Sequence, residues 1–98
     1  VFTGCVEFDL LLPDDSRSLK AKRSYVRPIV AALRKFDVAV SEVGDQELHG
    51  RSTIGVAAVA GDNLHVQEIL NACEQHVSGR PEVELLSARR RLFGPEDE

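Results

Sequence analysis

From Phe2 to Leu12 the chain alternates without a fault. Phe2, Gly4, Val6, Phe8, Leu10 and Leu12 share one side, while Thr3, Cys5, Glu7 and Asp9 fall on the other. A period of two over this length defines a strand with one buried face, and that face needs a cover. The next regular segment supplies one. Pro13-Asp14-Asp15-Ser16 reads as a turn, and Ser18 is placed to cap a helix over about residues 19–36. Its buried stripe is Leu19, Val26, Ile29, Val30, Leu33 and Phe36. Pro28 lies inside this segment and removes a backbone donor, which predicts a kink or a break.

Residues 37–43 predict a second strand with Val38 and Val40 facing inward, and 44–50 a loop. Residues 51–60 predict a third strand, with Ile54, Val56 and Ala58 on one face. Asp62 caps a second helix in which Val66, Ile69, Leu70, Cys73 and Val77 recur at helical spacing, and Ser78-Gly79-Arg80-Pro81 ends it. Residues 83–93 predict a fourth strand with Leu86, Ala88 and Leu92 inward. Arg90 lands on the same side, so a bulge or an arginine snorkelling at the rim is needed. The order β-α-β-β-α-β places the first and third strands in the centre of an antiparallel sheet, with both helices on one face. That is the ferredoxin-like α+β sandwich. Another two-layer α+β topology with the same order is the alternative. The expected organisation is one domain over 1–93 and an acidic flexible tail over 94–98.

Ninety-eight residues suffice for one domain with a core and not for two. No apolar run reaches membrane-spanning length, and Val1 leads straight into the first strand with no signal-peptide pattern. Cys73 falls on a buried helix stripe and Cys5 on the opposite strand face from the core, so both read as free thiols in a reducing cytosol. A cytoplasmic protein without membrane contact is the expectation.

Charge is distributed unevenly. Of twelve Lys and Arg residues, seven fall between Ser16 and Phe36, a stretch with no Asp or Glu, although the whole chain carries a formal charge of −4. Helical geometry gathers Lys20, Arg23, Arg27 and Arg34 within a wedge of roughly 60° beside the apolar stripe. Arg17 and Lys35 extend it at the ends. The ordinary meaning of such a run is a solvated face. Two features oppose that meaning. No i,i+4 acid–base pair is possible within the run, and its cations crowd the helix N-terminus, where each costs on the order of 0.3–1 kcal/mol. Asp14 and Asp15 offset part of that cost. Backbone N–H groups at residues 19–21, ringed by Arg17, Lys20 and Arg23, form a place for an anion. A stripe suits a polymer, so the expected ligand is an RNA backbone, contacted by Arg17, Lys20, Lys22, Arg23, Arg27 and Arg34 without base specificity.

Other chemistries find little support. Some ferredoxin-like domains stack RNA bases on aromatics of the central strands. Here the outward positions are Thr3, Cys5, Glu7, Asp9, Thr53, Gly55, Ala57 and Val59, and none is aromatic. The loop Pro13–Ser18 has neither the glycines of an acyl-phosphate hydrolase nor a Cys-x-x-Cys for a soft metal. Glu42, Asp45, Glu47 and His49 share a loop where a metal or an acid–base pair is conceivable, though solvated carboxylates are the simpler meaning. His65 and His76 lack ligand spacing. Ser16, Ser18 and Ser24 lack the flanks of a nucleophile. No catalytic residue, metal or cofactor is expected. The small outward residues Thr3, Cys5, Gly55, Ala57 and Val59 either face water or pack on the same face of a second copy. Arg89 and Arg91 are expected to pair across strands with Glu7 and Asp9.

Three segments carry a family resemblance: Ser18-Leu19-Lys20-Ala21-Lys22-Arg23, Phe36-Asp37-Val38-Ala39-Val40-Ser41-Glu42-Val43, and Asp45-Gln46-Glu47-Leu48 followed by Ile54-Gly55-Val56-Ala57. With them the chain resembles the YlxP-like family, small bacterial proteins of unassigned function. The resemblance implies a ferredoxin-like fold and genes set among those for translation initiation and ribosome maturation. It brings no catalytic residues. Ala21 stands where similar chains often have Glu, which removes the capping box with Ser18, and His49-Gly50 stands where an aromatic and a polar residue are common. The combined expectation is a non-enzymatic RNA- or ribosome-associated binding module. The alternative is a protein-interaction domain, as a homodimer or docked on an acidic partner.

Overall fold

The computed structural model describes residues 1–15 and 17–96. In order they form β1 (Phe2–Leu11), α1 (Leu19–Leu33), β2 (Ala39–Gly44), β3 (Arg51–Ala60), α2 (Asn63–Ser78) and β4 (Glu84–Phe93). All pairings are antiparallel, in the order β2-β3-β1-β4. The fold is the expected ferredoxin-like α+β sandwich, with one sheet face under the two helices and the other open.

Alternation in β1 and β3 delivers Val6, Phe8, Leu10, Ile54, Val56 and Ala58 to the covered face. There they meet Val26, Ile29 and Leu33 of α1 and Val66, Leu70, Cys73 and Val77 of α2. α2 rests directly on Gly4. A methyl group at that position would lie 2.7 Å from Val66 Cγ1 and 2.9 Å from Leu70 Cδ1 and Leu92 Cδ2. The missing side chain is what lets the helix approach the strand this closely.

Three local expectations need correction. α1 runs unbroken through Pro28, because that residue is exposed and the carbonyl it leaves unserved, on exposed Ser24, has access to water. The α-helix ends at Leu33, short of residue 36. A 3₁₀ turn follows over Arg34–Phe36, and Asp37 closes it in the left-handed region at φ 60°. In β4 the register shifts opposite Asp9 and Leu10; Ala88 and Leu92 keep the expected covered side, opposite Phe8 and Gly4, and Leu86 alone departs, exposed while Leu85 packs inward. Ser16 of the turn and Asp97 and Glu98 of the acidic tail lie outside the described residues.

Candidate anion-binding face

Ser18 caps α1 by accepting from the amide of Ala21 at 3.1 Å. That bond commits one of the three amides expected to face an anion, and among the described residues Leu19 and Lys20 keep theirs without a protein acceptor. Arg17, Lys20, Arg23, Arg27 and Arg34 are exposed, and no described carboxylate lies within ion-pair distance of them. Among the described residues, Arg17 donates from Nε to the Asp14 carbonyl at 3.4 Å. The Asp15 carboxylate, 2.8 Å from the Tyr25 hydroxyl, takes its hydrogen bond and holds the phenol above its usual pKa.

Lys22 does not belong to this face. Its residue exposure is 2%. Its ammonium sits 3.0 Å from a Glu42 carboxylate oxygen and donates to the Asp45 carbonyl at 2.6 Å. Helical phase explains the misplacement. Lys22 stands four residues before Val26, seven before Ile29 and eleven before Leu33, on the buried stripe itself. Glu42 likewise follows Val38 and Val40 on the helix side of β2. Two charged residues on facing apolar stripes were a legible signal for a buried pair, tying α1 to β2 and to the loop after it.

A groove of about 520 Å³ runs along the outer flank of α1, lined by Arg23, Val26, Arg27, Val30, Ala31 and Arg34 together with Glu42. Of the cations expected on one helix edge, Arg23, Arg27 and Arg34 border this concave surface and Lys22 does not. Glu42 at its end is occupied by Lys22 and by the Ser52 hydroxyl, which donates at 2.8 Å.

The acidic loop is structural rather than merely solvated. Thr53 Oγ1 lies 2.9 Å from Asp9 Oδ1 and 3.4 Å from Asp45 Oδ2. Asp9 also accepts from Ser87 and lies 2.9 Å from Arg89, which reaches Glu7 at 3.2 Å. The Ser87 hydrogen bond, with Thr53 and the Arg89 charge behind it, holds the Asp9 carboxyl below its ordinary pKa. Arg91 departs from the expected cross-strand pairing. Its guanidinium lies 5.3 Å from the centre of the Phe93 ring. Arg90, on the covered side, reaches Asn71 at 2.9 Å and Glu74 at 3.4 Å on α2, which resolves its conflict with the alternation. On the open face, a trough of about 580 Å³ is floored by Cys5, Ala39, Gly55 and Ala57 between Val43 and the two arginines 89 and 91. No described group of three or more His, Cys, Asp or Glu is arranged to hold a metal ion. No helix among the described residues is long and apolar enough to cross a membrane.

Residues 3–90 match the family model described as a protein of unknown function, DUF503. The chain belongs to the DUF503 family. A relative from Bacillus subtilis (strain 168), the uncharacterized protein YlxP, is 31% identical over 80 residues, covering 81% of this chain and 87% of the relative. The YlxP-like resemblance read from the sequence is therefore a family membership. In this DUF503 chain the match spans every element from β1 to α2 and most of β4.

Proposed function

We propose that this protein is a non-enzymatic, cytoplasmic binding module that attaches to RNA or an RNA-containing ribosomal particle through α1. One observation carries the reading: Arg17, Lys20, Arg23, Arg27 and Arg34 stay exposed and unopposed by described carboxylates on an otherwise acidic chain. Unpaired guanidinium groups beside a helix N-terminus favour phosphate oxygens, and a row of them favours a polymer. The contacts position a backbone and read no base. Sedimentation of cell extract with and without nuclease is the test. Co-migration with ribosomal subunits that nuclease abolishes supports the reading, and migration at the position of free protein in both samples contradicts it.

A second reading has an observation of its own. The apolar trough on the open face, bordered by Val43 at 51% exposure, together with Val59 at 62% elsewhere on that face, suits packing against the same face of a second copy. A mass from light scattering at twice that of the chain favours this homodimer, and a monomer mass at high concentration rules it out.

A further inference from the structure

The sheet has two edges, and they differ. β4 carries Glu84, Arg89, Arg90 and Arg91, the charged pattern that discourages edge pairing. β2 reads Ala39-Val40-Ser41-Glu42-Val43-Gly44, with no proline and no cation. Its single charge, Glu42, is turned inward to Lys22. The Glu42 carbonyl accepts from Gln46 Nε2 at 3.2 Å and from Ser41 Oγ at 3.3 Å, so one end of the edge is closed by its own chain. Residues 39–41 form the outer edge of the sheet, where alternate backbone N–H and C=O groups point away from β3.

The arginine groove reaches this edge strand at Glu42. Its wall of Val26, Val30 and Ala31 is apolar, and Arg23, Arg27 and Arg34 stand over it. Along α1, Arg23 and Arg27 are about 6 Å apart by helical rise. Same-side residues of an extended strand repeat at about 6.6 Å. A polynucleotide can meet the guanidinium groups but leaves the β2 backbone to water. A second copy of this chain brings like charges to the seam. An acidic polypeptide strand satisfies both the backbone edge and the arginines.

We propose that β2 and the groove beside it receive an extended acidic segment of a protein partner, added to the sheet as a fifth strand. Its carboxylates lie on the helix side against Arg23, Arg27 and Arg34. Its small or apolar side chains lie on the other side, beside Ala39, Ser41 and Val43. The proposal rests on the reading of α1 as an anion-binding face, and it makes the acidic segment a competitor of RNA for the same arginines.

The test uses the full chain and two labelled peptides of equal charge, one alternating glutamate with valine, the other alternating glutamate with proline. Proline removes every second backbone donor and cannot join a ladder. The valine peptide is expected to bind about tenfold more tightly in fluorescence anisotropy. It is expected to slow hydrogen exchange in residues 39–41, and to lose its binding to the Arg23→Glu/Arg27→Glu variant. Equal affinity for both peptides, binding that leaves exchange in β2 unchanged, or no binding overturns the proposal. RNA binding is measured on the same sample. A chain that binds RNA but not the valine peptide refutes the docking strand alone, and one that binds the peptide with β2 protection but not RNA supports docking and refutes the RNA reading.

Discussion

Lys22 and Arg23 are neighbours in sequence with opposite roles. Lys22 Nζ is sealed between Glu42 and the Asp45 carbonyl, while Arg23 stands over the groove. Replacing Lys22 by Met keeps the apolar stem and leaves the Glu42 carboxylate, itself 23% exposed, short of its cation. The expected cost is about 1–3 kcal/mol, read as a lowered denaturant midpoint with unchanged slope. Arg23→Glu/Arg27→Glu breaks no described ion pair and is expected to alter stability by only about 0.5 kcal/mol. Asp9 makes a pH prediction. Its carboxyl is depressed in the folded chain first by the Ser87 hydrogen bond, then by Thr53 and Arg89. A depressed acid stabilises the fold fully above its unfolded value, near the ordinary 3.8, and loses that contribution as pH falls through the folded value. Urea titrations from neutral pH to below that point therefore show a flatter decline for Asp9→Asn than for the native chain. Parallel declines refute the role given to Asp9.

At the scale of elements, Gly4 sets how closely α2 approaches β1. Gly4→Ala puts a methyl into contact with Val66, Leu70 and Leu92, and the overpacking is expected to cost about 1–3 kcal/mol in thermal or denaturant unfolding. An unchanged midpoint shows that the three side chains yield freely. Most elements were legible because their apolar residues keep one period from end to end. β1 and β3 alternate throughout, and α2 repeats Val66, Leu70, Cys73 and Val77 behind the Asp62 cap, whose carboxylate accepts from His65 N at 2.8 Å. For β4 and Lys22, local pattern is overruled by a partner distant in sequence. The phase of β4 depends on a register shift against β1, and adjacent leucines at 85 and 86 fit either phase. Lys22 shares the charge of the cationic run but the helical phase of the Val26–Ile29–Leu33 stripe, and the phase decides where it lies. The arginine face was legible as a line on a helix, but the groove was not, since its shape depends on where β2 ends the sheet.

Taken whole, the molecule has one covered sheet face, one open face and a cationic flank along α1. The open face separates two histories for the trough between Val43 and Arg91. A light-scattering mass that doubles with concentration, and stays at the monomer value for Val43→Asp, assigns it to self-association. A mass insensitive to that substitution removes it from the interface. The cationic flank is the surface to which the proposed RNA contact is assigned. It is best examined through the salt dependence of binding to a structured RNA, measured by fluorescence anisotropy for the native chain and for Arg23→Glu/Arg27→Glu. With five phosphate contacts, the native affinity is expected to fall with a log–log slope of about −3.5 to −4.5. The charge-reversed chain, still folded, is expected to show no binding at any salt concentration where the native chain binds. Native binding that ignores salt, or a charge-reversed chain that binds as well as the native one, contradicts the assignment of α1 as the polyanion site.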